Sequence, residues 1–129
     1  MLNKEIKLRV SQNNLLENKN QVIYDGIAKI TKDTTYKISY LEEDKTEVEL
    51  ILNKSMGSLQ RIGEVSTLIN FNLENAGLCK VTTTFGDLFM DVNTLEIRLE
   101  NSYIFLYYEL LEAGAIVGRF QLRMEWENE

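Results

Sequence analysis

Apolar and polar residues alternate with a period of two along most of this chain, and no other feature limits its fold so strongly. Successive side chains of an extended backbone point to opposite faces, so such a chain carries one apolar face per strand. That face is buried by packing sheet on sheet or by curling the sheet upon itself. In residues 2–10, Leu2, Ile6, Leu8 and Val10 share one face, while Asn3, Glu5, Lys7 and Arg9 share the other. Tyr36, Ile38 and Tyr40 alternate with Thr35, Lys37 and Ser39. Val48, Leu50 and Leu52 alternate with Glu47 and Glu49, and Leu95, Ile97 and Leu99 with Glu96, Arg98 and Glu100. Near the end, Phe120, Leu122, Met124 and Trp126 oppose Arg119, Gln121, Arg123 and Glu125. The pattern is that of half-buried antiparallel strands.

Further strands are expected at 21–31, 58–63, 65–71, 78–84, 86–93 and 103–111, separated by turn clusters such as EEDK (42–45), NKSMG (53–57) and NLENAG (72–77). Residues 11–20, SQNNLLENKN, read as a longer loop with a helical turn at Leu15 and Leu16. Short strands at regular spacing fit a sandwich or a closed barrel. Proline is absent, so it blunts no strand edge, and closure would remove the edges altogether. The expectation is an all-β chain forming a single antiparallel β-barrel of about 8–10 strands, one domain over residues 1–129.

Composition removes several classes of function. The formal charge of −6 and pI near 4.8 disfavour phosphate backbones and anionic lipid, so neither nucleic acid nor membrane is an expected partner. The start, MLNKEIKLRV, lacks the apolar core of a signal peptide, and a cytoplasmic location is expected. Cys79 is the single cysteine, which excludes an intrachain disulfide. With no histidine, a Ser-His-Asp triad, a Cys-His dyad, a Cys/His zinc cluster and histidine-ligated haem are all ruled out within the chain. No metal or cofactor is expected.

Four stretches carry a family likeness: YDGIAKI (24–30) leading to YKISY (36–40), LQRIGEVST (59–67), TTFGDLFMDVNT (83–94), and the closing strand ending near Trp126. In these the chain resembles the YwiB-like family of small proteins from Gram-positive bacteria. Threonine stands at 84, where that family commonly has proline before the aromatic-glycine pair. The resemblance implies a calycin-type, lipocalin-like barrel and no established activity, and fold does not transmit function.

Candidate sites follow from strand parity. If Leu59 faces inward, so does Arg61, and a charge inside a small barrel needs a partner. That partner is either a ligand carboxylate or phosphate, held bidentately, or a carboxylate of the protein. Tyr24, Tyr36 and Tyr40 fall on inward positions and would line a ligand pocket with Arg61. In the strand YIFLYYELL (103–111), Ile104, Leu106, Tyr108 and Leu110 make the better core set. Tyr103, Phe105 and Tyr107 then point outward and, joined by Phe89, would form an aromatic contact surface for a homodimer or partner. The GSLQRIGE segment (57–64) fails the phosphate-loop spacing, and Glu42, Glu43 and Asp44 read as a solvated hairpin tip. Cys79 reads as a small packing residue near a barrel end. Three functions remain: a non-catalytic binding module for a small apolar or amphipathic ligand, an interaction protein with a filled barrel, and, weakest, an enzyme using carboxylate or tyrosine acid–base chemistry, to which no constellation points.

Overall fold

A computed structural model describes residues 3–127; Leu2, assigned above by pattern, lies outside the described residues. Ten strands follow in chain order: β1 (Lys4–Asn14), β2 (Lys19–Lys32), β3 (Tyr36–Leu41), β4 (Glu47–Leu52), β5 (Met56–Ile62), β6 (Ser66–Asn72), β7 (Gly77–Thr83), β8 (Gly86–Glu100), β9 (Tyr103–Glu112) and β10 (Ala115–Trp126). Each pairs antiparallel with its sequence neighbours, and β1 pairs with β10 from Leu8↔Trp126 to Asn14↔Phe120, closing the barrel. No helix is present among the described residues, hence none long and apolar enough to cross a membrane.

The alternation places the core as expected. Leu8, Val10, Ile38, Leu50, Leu52, Val92, Ile104, Leu106 and Met124 are all completely buried. They come from six strands and meet along the barrel axis, each removing an aliphatic side chain from water at roughly 1.5–3 kcal/mol.

Two local expectations are corrected. Residues 11–20 are not a long loop: β1 runs to Asn14, β2 starts at Lys19, and Asn13↔Asn20 and Asn14↔Lys19 remain in register. Polar residues hide this hairpin because its tip stands clear of the core, leaving only 15–18 as the turn. The stretches 86–93 and 95–100 are one strand, β8, with a bulge between Thr94 and Glu96. The bulge turns Leu95 outward, 43% exposed, and gives its inner position to Thr94, whose Oγ1 accepts from the Asn72 N–H at 3.1 Å.

The TTTFGD corner is a tight hairpin. Thr83 Oγ1 accepts from the Phe85 N–H at 3.1 Å and donates to the Gly86 carbonyl at 3.0 Å. Gly86 has φ 123°, a conformation costly for any residue with a Cβ. Phe85 at the tip is fully exposed.

Two stability outcomes follow. Leu50→Ala is expected to cost about 2–5 kcal/mol in equilibrium urea unfolding, because a sealed site relaxes little around the deletion. Gly86→Ala meets no atom within 4 Å, so it should cost about 1–3 kcal/mol through backbone strain alone; a neutral result would mean the turn reshapes freely.

Candidate functional site

The barrel is filled at one end and hollow at the other. At the filled end Tyr36 sits beside Leu52 and Lys32, and its hydroxyl donates to the Glu100 carbonyl at 3.3 Å. Lys32 Nζ lies 5.4 Å from the Tyr36 ring centroid and donates to Asn101 O at 2.6 Å and Oδ1 at 2.8 Å. Tyr36 therefore closes this end and lines no site with Arg61: four residues of extended chain, about 13 Å, separate it from Tyr40.

The opposite end is open because β2 and β3 part company. They pair only from Lys29↔Ser39 to Lys32↔Tyr36, so Lys19–Ala28 of β2 pairs on one side alone, with β1. Tyr24 and Tyr40 fill the gap from within, stacked at 4.2 Å between centroids and 26° between planes. The Tyr24 ring folds over Gly26, where a Cβ would lie 2.8 Å from its hydroxyl, and that hydroxyl donates to the Ile27 carbonyl at 2.6 Å. A hydrogen-bonded, stacked lid thus stands where strand pairing stops.

Inside this mouth lies a cavity of about 320 Å³. Its walls are Val48, Leu59, Ile69, Leu122 and Met124, with Tyr108 at depth; Gln12, Gln21, Ile23, Tyr40, Glu42, Arg61 and Thr67 complete the lining. A wider groove of about 540 Å³ runs outside the wall along the parted strands, past Ile27, Leu41 and Ile62. The interior cavity is the better site, since side chains from both sides of the barrel converge on it.

Arg61 points inward as parity requires, and its partner is the protein's own Glu42: Nη2 donates to Oε1 at 2.5 Å. Glu42 is therefore no solvated tip. It continues the inward series Tyr36, Ile38, Tyr40, and a turn closed by Glu42 N→Thr46 O at 2.9 Å folds its side chain over the mouth, 17% exposed. Strand parity, carried two residues further, would have found it. The pair neutralises both charges at the rim.

Neutral groups tell a different story. Among the described residues no protein group hydrogen-bonds to the side chains of Gln12, Gln21, Tyr40, Thr67 or Tyr108. Tyr108 is 3% exposed, its ring wedged edge-on to Phe71 at 5.0 Å and beside Phe120 at 5.5 Å. Every completely sealed side-chain nitrogen or oxygen among the described residues has a partner, so the Tyr108 hydroxyl is in contact with the cavity. Burial pushes the Tyr40 and Tyr108 hydroxyls well above the usual phenol range, which keeps both protonated and able to donate. Cys79 is buried, its thiol likewise pushed up by burial, and is an unreactive packing residue.

The expected aromatic stripe is corrected on the opposite wall. Arg98 and Arg123 flank Phe105 across β8 and β10, with guanidinium carbons 5.2 and 5.0 Å from the ring centroid. Their long side chains cover the ring and leave Phe105 only 6% exposed. Tyr103 and Tyr107 are half-buried beside it. Phe89 pairs with Lys80, beyond the last β8–β9 rung, and so joins a different neighbourhood. The same wall carries Glu109, which accepts from Asn93 Nδ2 at 3.0 Å and Arg119 Nε at 2.8 Å.

Those two bonds, Asn93 first, hold the Glu109 carboxyl below its ordinary value. A depressed folded-state value stabilises the fold above the unfolded value and loses that contribution as pH falls through the folded one. Urea midpoints measured from pH 7 to well below the ordinary carboxyl value of 4.5 should therefore fall more steeply for wild type than for Glu109→Gln; parallel curves would deny the pair its role.

Residues 5–124 match a family described as a domain of unknown function, DUF1934. Among curated proteins nothing matches. Among solved structures, the crystal structure of the ywiB protein from Bacillus subtilis is similar with a TM-score of 0.72 at 17% sequence identity, covering 98% of this chain and 94% of that one. At that identity the likeness establishes the ten-stranded barrel and nothing about its use. With nearly its whole length matched, the chain belongs to the DUF1934 family, the YwiB-like barrels that its Arg61 and Gly86 segments resemble.

Proposed function

We propose that the protein is a non-catalytic binding module whose barrel mouth receives one small, uncharged amphipathic molecule. A single observation carries this reading: the cavity holds unpaired neutral hydrogen-bonding groups, while its two charges are spent on each other. A ligand anion would have to displace Glu42 from Arg61 and leave a half-buried carboxylate unpaired, at considerable cost. A neutral ligand meets no such cost. Its apolar body packs on Leu59, Ile69, Leu122 and Met124, and its polar end meets Gln12, Gln21 and Thr67 at the rim. The volume of about 320 Å³ lies at the lower end of the range for ligand sites, which favours a compact molecule. Arg61 then orders the mouth, and Tyr24 and Tyr40 close its side; a calycin-like mode of use fits this arrangement.

The uncharged fluorophore N-phenyl-1-naphthylamine should gain fluorescence on mixing with wild type. Thr67→Trp, placing an indole in the half-buried mouth, should weaken that binding at least tenfold while circular dichroism stays unchanged. Equal binding by both proteins would move the ligand elsewhere. Native mass spectrometry of protein from its own host would show any retained molecule.

A second reading rests on a separate patch. The register aligns Leu78, Asp91, Leu111 and Ile116 across β7 to β10, and Leu78, Phe89 and Ile116 are 44%, 55% and 42% exposed. A second copy of the chain would cover this surface. Sedimentation should then show a wild-type dimer and a monomeric Phe89→Glu; a wild-type monomer throughout the micromolar range would dismiss this.

A further inference from the structure

We infer that the ligand carries an uncharged hydrogen-bond acceptor, of the carbonyl class, at the end it buries, and that the Tyr108 hydroxyl donates to it. The inference rests on the cavity reading above and adds the ligand's chemistry and its orientation. Its basis is geometric. Tyr108 is 97% buried by its exposure of 3%, fixed by Phe71 and Phe120, and lines the cavity with a hydroxyl that no described protein group engages.

A buried phenol hydroxyl without an acceptor is unfavourable, and a phenylalanine of the same shape would fill the space between Phe71 and Phe120 without that penalty. In solution such a hydroxyl facing a cavity of this size bonds to water. A ligand that expels the water must replace the bond or bind more weakly. An aliphatic or aromatic hydrocarbon tip cannot do so. A ketone, aldehyde, ester or amide oxygen can, since each accepts and none brings a charge into an apolar pocket. A carboxylate tip accepts strongly but arrives with a charge that Leu59, Ile69, Leu122 and Met124 cannot solvate. The remaining polar groups, Gln12, Gln21, Glu42, Arg61 and Thr67, lie at or just beyond the strand termini around the mouth, so the pocket is polar at both ends and apolar between. The ligand is thereby oriented, acceptor inward and second polar group outward.

Two shape-matched probes test this: 2-acetylnaphthalene, which carries a carbonyl, and 2-ethylnaphthalene, which does not. Each is titrated against wild type preloaded with N-phenyl-1-naphthylamine, with displacement read by fluorescence. Wild type should bind the acetyl compound roughly five- to tenfold more tightly, the factor expected of one net hydrogen bond. In Tyr108→Phe the preference should collapse to within twofold through weaker acetyl binding, with ethyl binding retained and a melting temperature unchanged or raised. Tyr36→Phe, which removes a hydroxyl at the filled end outside the cavity, should keep the preference. Equal affinity of wild type for both probes overturns the inference while leaving the cavity reading intact. Loss of the preference in Tyr40→Phe, which removes the rim hydroxyl, but not in Tyr108→Phe overturns it too. Failure of wild type to bind the fluorophore or either probe sinks the cavity reading and this inference with it.

Discussion

Closure of the sheet through β1 and β10 is the constraint on which everything else depends. Seven rungs, Leu8↔Trp126 through Asn14↔Phe120, join the first strand to the last. They remove the two edges that an open ten-stranded sheet would expose in a chain with no proline to blunt them. Closure also decides which face is interior. Once Val10 and Met124 stand opposite each other in this seam, parity carries the inward face around every strand, and the core is committed in one step. The seam is made last in sequence order, so the contact most distant along the chain defines the inside.

A barrel of this size has an interior just wide enough for side chains to fill, and the protein fills it unevenly. Aliphatic and aromatic residues pack the half near Tyr36 and Trp126, whereas the half near Tyr40 and Tyr108 keeps a hollow. The cause is the parting of β2 from β3 after four rungs. A fully paired seam would draw the walls together and leave the Tyr24–Tyr40 stack no place. Instead that stack spans the gap, and the hairpin turn after β3 swings Glu42 over the mouth onto Arg61. Stability and a binding-competent opening are thus assigned to opposite ends of one barrel, so neither competes with the other for the same residues.

Legibility in the sequence followed the same division. The inward faces of β3, β4, β9 and β10 could be read directly, because period two survives wherever one face is dry and the other wet. It failed at Leu95, where a bulge inserts one residue and shifts the register, and at residues 11–20, where both faces of the hairpin are polar. Arg61 was legible as an inward charge needing a partner; which partner was not, because Glu42 lies 19 residues away and reaches Arg61 only through the β3–β4 turn. Tyr108 was legible as core. Its lack of a hydrogen-bond partner was not, since that depends on what the neighbouring strands fail to supply. Phe105 seemed to lie bare on the outer wall because sequence cannot show Arg98 and Arg123 from two flanking strands folding over it.

By itself, then, the sequence determined the strand class, the two faces of each strand and the classes of chemistry that a chain without histidine must do without. These are local properties, set by backbone geometry and by the side chains available. Only the tertiary structure decided that Arg61 is already paired, that Tyr36 belongs to the filled end, that Phe105 is covered and that Tyr108 offers a free hydroxyl to a cavity. Each of those outcomes depends on cross-strand register and on where two strands stop pairing, and register is fixed by contacts between residues far apart in the chain.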